Sequence, residues 1–197
     1  MDILIRRWVG SVLRSHRPLL TIAVRQRAQM EGWLKFELAR VIEREGYEPV
    51  RVEAGFGEVG FRSDISFVAG GDRFDVELKT PNTNWSVPGV ESPSRPVTKN
   101  IASIIVDAAK LRSCPGHGIV CFVLFPVPAR DRRWVTYLER ISRGIGVPLT
   151  PSDHCSRVKI PLGQDRSCDV VVCAFPVSGT GLTSETKARS PTELPTA

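Results

Sequence analysis

Residues 118–125 read Gly-Ile-Val-Cys-Phe-Val-Leu-Phe, an unbroken apolar run in the middle of the chain. A strand with one wet face alternates polar and apolar residues, so a run without alternation belongs in the centre of a sheet covered on both sides. It is far too short to cross a bilayer. The rest of the chain must therefore supply helices for two faces, and three segments have the right period. Between Gln29 and Glu45, the residues Met30, Trp33, Leu34, Leu38, Val41 and Ile42 recur at helical spacing, with Gly46 as a stop. Thr98 can cap a helix to about Arg112, with Ile101, Ile104, Ile105, Ala108 and Leu111 as its buried stripe. Asp131 to Ile141 places Trp134, Tyr137, Leu138 and Ile141 inward. A further helix fits within residues 3–15, Pro18 marks a break, and the main helix can begin as early as Leu20.

After Gly46 the period changes from helix to strand. Val50 and Val52 suggest one strand, glycines 55, 57 and 60 loosen the chain, and Ile65 and Phe67 alternate within a second strand over about 61–69. Ala69-Gly70-Gly71-Asp72 is a turn, and the strand from Arg73 to Lys79 puts Phe74, Val76 and Leu78 on one face and Asp75, Glu77 and Lys79 on the other. A solvated strand face would by itself explain those three polar residues. From Thr80 to Val97, four prolines exclude a long regular element, and so long a connection suggests a segment that covers a site or moves when ligand binds. Residues 169–175 form a last core strand after an irregular stretch. The resulting expectation is an α/β fold with a mixed sheet flanked by helices on both faces. It forms a single domain over residues 1–178 with a basic helical N-terminal extension, and a disordered tail over 179–197.

With 197 residues the chain can build one substantial core. Its opening mixes charged and apolar residues and shows no secretory cleavage pattern, so the expected location is cytoplasmic, with no stable membrane partner. Five cysteines without a C-x-x-C pair indicate neither a disulfide framework nor a zinc knuckle, and His154 beside Cys155 is a poor metal signature. The net charge is +6, and its distribution is informative. Residues 1–30 hold Arg6, Arg7, Arg14, Arg17, Arg25 and Arg27 against Asp2 alone, and a second cluster contains Arg130, Arg132, Arg133, Arg140 and Arg143. Phosphate contact is one reading of both clusters, and a basic soluble surface is the other.

The chemistry lies between those clusters. A short hairpin sets Asp64 beside Glu77, so both carboxylates can hold one hard divalent cation, and the backbone carbonyl of Leu78 can add an oxygen. Magnesium suits such a shell, and manganese fits the same ligands. Lys79 can orient an attacking water or stabilise charge developing on a phosphate. Glu37 and Glu31 lie at the edges of the apolar stripe of their helix, and either can complete the site.

Asp64 on its strand, Glu77-Leu78-Lys79 as an acid-x-lysine element and a helical glutamate at Glu31 or Glu37 resemble the active site of the PD-(D/E)XK nuclease superfamily. The resemblance covers about residues 29–126 and includes the helix bearing Asp107 and Lys110, which looks like the family's crossover helix. Arg62-Ser63-Asp64 stands where the family usually has Pro-Asp. The resemblance implies a restriction endonuclease-like fold and magnesium-dependent hydrolysis of DNA phosphodiesters by direct water attack, in a restriction, defence or mobile-element setting. The expected nucleic-acid contacts are Lys99, Lys110, Arg6, Arg7, Arg132 and Arg133, with Trp85 either stacking on a base or anchoring its loop. DNA is the expected partner, with RNA open, and a homodimer would supply two active sites for duplex cleavage. The alternative is a nucleic-acid-binding or assembly protein that keeps the nuclease fold without cleaving.

Overall fold

The computed structural model describes residues 1–56, 61–92 and 97–177, with the side chains of Phe56 and Phe61 left aside. Glycines 57 and 60, Pro93, Pro96 and the tail from Gly179 fall outside these residues. The elements run α1 (Asp2–Ser15), α2 (Arg17–Arg25), α3 (Glu31–Arg44), β1 (Arg51–Phe56), β2 (Phe61–Ala69), β3 (Asp72–Lys79), α4 (Val97–Leu111), β4 (His117–Pro128), α5 (Trp134–Ile145), α6 (Pro151–His154), β5 (Cys155–Gly163) and β6 (Arg166–Val177). Six strands form one mixed sheet in the order β1-β2-β3-β4-β6-β5. All neighbours are antiparallel except β3 and β4, whose parallel pairing requires the crossover that α4 provides.

The apolar run of β4 sits at the centre, as its lack of alternation demands. Ile119, Cys121, Val123 and Phe125 enter the core under α1, α2 and α3, while Val120, Phe122, Leu124 and Val127 enter a second core under α4 and α5. β6 divides in the same way, with Val170, Val172 and Ala174 on the first face and Val171, Cys173 and Phe175 on the second. The fold is thus α/β with helices on both sides of a mixed sheet. Among the described residues no helix is long and apolar enough to cross a membrane.

Three local expectations change. The main helix starts at Glu31 rather than Leu20, because residues 17–25 form a separate helix with Pro18 in its first turn, where a missing N–H costs nothing. The stretch before the last strand is not irregular. It contains α6 and the edge strand β5, in which Val158, Ile160 and Leu162 are buried and Lys159 and Pro161 exposed. Pro161 is tolerated there because an edge strand leaves alternate N–H groups unpaired.

The N-terminal helices are also more than an extension. Ile5, Val9, Val12 and Leu13 of α1 are buried, and α1 packs on β5 and β6. Arg6 donates to the carbonyls of Asp153 and Cys155, Arg25 to that of Leu162, and Thr21 Oγ1 to that of Pro161 at 3.1 Å. These side chains cover the open edge of β5, a sheet margin that would otherwise present free acceptors to another strand.

Candidate active site

The turn at Gly70 and Gly71, both at positive φ, returns the chain so that Ile65 pairs with Val76, and the next step of that register faces Asp64 with Glu77. Asp64 then replaces a backbone partner for β3: its Oδ2 accepts from the Leu78 N–H at 2.8 Å. This bond fixes the carboxylate at the end of the β2–β3 pair. Residues N–H and C=O of one strand position point to the same side, so the Leu78 carbonyl also faces the Asp64 side of β3.

Around the end of β3 the other charges are ordered by Lys79. Its Nζ lies 2.8 Å from Glu77 Oε1, 3.4 Å from Asp107 Oδ2 on α4 and 3.9 Å from Glu31 Oε1 at the start of α3. Glu31 Oε2 also accepts from the Thr80 N–H at 3.2 Å. The helical glutamate beside the strand pair is therefore Glu31. Glu37 lies elsewhere, paired with Arg40 at 2.7 Å and His16 at 3.5 Å, so the expectation that it ligates the same ion is corrected: six residues along α3, about 1.7 turns, rotate it about 120° away from Glu31 toward His16.

Lys35, which sequence reasoning passed over, belongs to the site. One turn after Glu31, its Nζ sits 2.8 Å from Asp64 Oδ1 and 3.1 Å from Glu53 Oε1 on β1. Asp107 was legible only as part of a crossover helix, and the structure brings it to Lys79 and, at 2.9 Å, to Lys110.

The electrostatics record crowding of acids. Burial, reinforced by the charges of Asp64 and Asp107, pushes the Glu77 carboxyl up to about 7 despite the opposing hydrogen bond from Lys79. Glu31 is also raised, first by burial and then by Asp64, against the pull of Lys79. Burial works to lower Lys79, but Glu77, Glu31 and Asp107 outweigh it and hold the ammonium above its ordinary range. Lys35 is likewise held up by Asp64 and Glu53 against burial. The upward shifts of Glu77 and Lys79 are compatible: the lysine faces three acids, whereas the glutamate faces one cation and two acids.

Beside Lys79 lies a small open cleft of about 60 Å³ lined by Glu31, Thr80, Gln29, Asn100 and Ser103, among others. Thr80 is 4% exposed, and its Oγ1 has no hydrogen-bond partner. Neutral donors next to a fixed ammonium make a setting suited to an oxyanion. Among the described residues, no three His, Cys, Asp or Glu side chains close on a common point as a ready metal cage. The lysines account for this, since Lys35 rests on Asp64 and Lys79 on Glu77.

The strand face carrying Asp75 is not solvated. Asp75 is fully buried, held by Arg73 through two 2.9 Å contacts and by Ser63 Oγ at 2.9 Å. The long connection is pinned rather than loose over its described part: Arg27 donates to the carbonyls of Thr83, Trp85 and Glu91, and Thr83 N–H to Phe125 at 2.7 Å. Trp85 is 6% exposed, stacked on Tyr137 with Arg133 over its ring. Of its two readings, the loop anchor is the one realised, because a ring this buried offers no face to a base.

The proposed phosphate contacts are scattered. Lys99 and Lys110 lie on α4 on the site's side of the sheet, with Lys110 engaged by Asp107. Arg7 and Arg132 are exposed. Arg6 is committed to backbone carbonyls, and Arg133 to Asp131 and Trp85. His154 Nδ1 accepts from the Thr150 N–H at 3.0 Å, a local turn contact rather than a metal position beside Cys155.

No family model, curated protein or solved structure matches the chain.

Proposed function

We propose that this protein is a divalent-metal-dependent nuclease of the PD-(D/E)XK kind, hydrolysing DNA phosphodiester bonds by water attack on a restriction endonuclease-like fold. The observation that carries the reading is the meeting of Asp64, Glu77, Lys79 and Glu31 at the end of the β2–β3 pair. Their chemistry suits a hard cation: oxygen donors crowd until Glu77 is protonated up to about 7, and that excess of negative charge is what a divalent ion relieves. Asp64, Glu77 and the Leu78 carbonyl would hold magnesium or manganese, with Glu31 completing the shell directly or through water. Such an ion, when bound, supplies Lewis-acid polarisation of the phosphate and a more acidic attacking water.

The remaining work falls to the chain itself. Lys79, protonated and held by three acids, cannot act as a base; it orients water and offsets charge developing on the phosphate oxygens. The cleft beside it offers the neutral amide donors of Gln29 and Asn100 to the sugar–phosphate backbone. Lys99 and Lys110 extend positive charge along α4.

One observation favours a second reading, a nucleic-acid-binding or assembly protein without cleavage: Lys35 already neutralises Asp64. A single experiment separates them. Wild type, Glu77→Ala and Lys79→Ala are incubated with single-stranded and duplex DNA in magnesium, manganese or EDTA, and the products resolved on a gel. Cleavage by wild type alone, and only with metal, is the expected result. No cleavage by folded wild type, together with metal-independent DNA binding, would replace the nuclease reading with the binding one.

A further inference from the structure

Lys35 is an unusual neighbour for a proposed metal ligand. A charged side chain on a core-facing helix is rarely buried without a partner, and Lys35, 9% exposed, has two: Asp64 at 2.8 Å and Glu53 at 3.1 Å. Its ammonium therefore bridges β1 and β2 from above, and it sits on the Asp64 oxygen that the Leu78 N–H leaves free.

The backbone adds an independent sign. Glu53 has φ 53, in the left-handed region that a glutamate occupies only at a cost of about 1 kcal/mol or more. The Glu53 side chain is 61% exposed, and its Oε1 nevertheless pairs with Lys35 Nζ. A second acid at a strained strand position, outside the Glu77–Lys79–Asp107 group, gives the lysine a resting place that is not Asp64.

We propose that Lys35 is a tethered counter-ion that competes with the metal for Asp64, and that Glu53 is the acceptor onto which it withdraws when the metal enters. This rests on the nuclease reading of the site. The arrangement sets metal affinity from within the fold: one cation occupies the first acid while the site is empty and steps aside by a side-chain rotation. Lys35 is a positioning residue, acting through Asp64 and touching no substrate. Asp64 stays paired without metal, and the site closes on a divalent ion only where the ion's two charges outcompete a single tethered one.

The two members of the pair give opposite expectations, which a purely structural role does not. Lys35→Met removes the competitor and raises the affinity for Mn²⁺, read by titration with the electron-spin resonance of the free ion, by about tenfold or more. Glu53→Gln removes the resting place, leaves Lys35 leaning on Asp64 alone, and lowers that affinity. Both are measured on the full chain without DNA, with circular dichroism to confirm folding and Glu77→Ala to identify binding at this site. Should Lys35→Met fail to fold, Lys35→Gln, which keeps a polar head and drops the charge, carries the same expected rise in affinity. Saturable Mn²⁺ binding that both variants leave unchanged, or that Lys35→Met weakens, overturns the competition while leaving the nuclease reading standing. Absence of any Glu77-dependent Mn²⁺ binding in wild type overturns both.

Discussion

Replacing Glu77 by Gln should stabilise the metal-free protein in alkaline solution and leave it unchanged in acid. Glu77 has a side chain 14% exposed, and its carboxyl is raised from 4.5 to about 7 by burial and by Asp64 and Asp107, net of the help from Lys79. A folded-state value above the unfolded one means that the folded chain retains a proton which the unfolded chain releases. Stability is therefore intact below about pH 4.5, declines as pH rises toward 7, and bears the whole penalty above it. At about 1.36 kcal/mol for each pKa unit, the rise corresponds to about 3 kcal/mol. Gln keeps the shape and cannot ionise, and Lys79 retains Glu31 and Asp107. Urea unfolding in EDTA should then show a gain of about 3 kcal/mol near pH 8 and none near pH 4.5. For a domain of this size the corresponding rise in melting temperature is about 6–12 °C. A gain of the same size at every pH, or none at pH 8, would refute the reasoning that acid crowding controls this carboxyl.

Other residues give equally direct expectations. Arg27→Ala strips the donor from three loop carbonyls and should cost about 2–4 kcal/mol in urea unfolding, with new protease cleavage between residues 80 and 92; unaltered protease resistance would contradict the clamp. Glu31→Gln should lower metal-dependent DNA cleavage by about tenfold or more, whereas Glu37→Gln, paired away from the site, should leave the rate within about twofold. Trp85→Ala should lose about 3–5 kcal/mol of stability. Its affinity for single-stranded DNA should stay level, whereas a stacking role would weaken binding by about 1–3 kcal/mol.

The sheet was legible because its signals are periodic. The unbroken run of β4 required two helical layers, and the alternation in β3 placed Glu77 and Lys79 on one face. β5 has the same alternation, Val158, Ile160 and Leu162, but Pro161 interrupts its reading as a strand, and only knowing that it lies at the sheet edge removes the objection. Asp64, Glu77 and Lys79 could be placed because a hairpin fixes its own register. Glu31 and Glu37 could not be separated, since the choice depends on how α3 lies across the strand ends, a matter of long-range packing. Lys35 was hidden for the same reason: in sequence it is one more charge beside an apolar stripe, and only the crossing of α3 over β1 and β2 turns it toward Asp64. Arg6, Arg25 and Arg27 in the N-terminal basic cluster donate to backbone carbonyls, which bind a guanidinium as phosphates do, and sequence does not distinguish the acceptors.

The packing of α1 on β5 and β6 also bears on how the molecule is assembled. α1 finds its partners in β5 and β6, which are made well after it, and β4 in the centre must wait for β6 to close one of its sides. Contacts so distant in sequence impose slow folding, during which the apolar run of β4 lies open to neighbouring chains. Nascent chains halted before residue 166 should consequently depend on chaperones for solubility, and removing α1 should strand the finished sheet in the same condition.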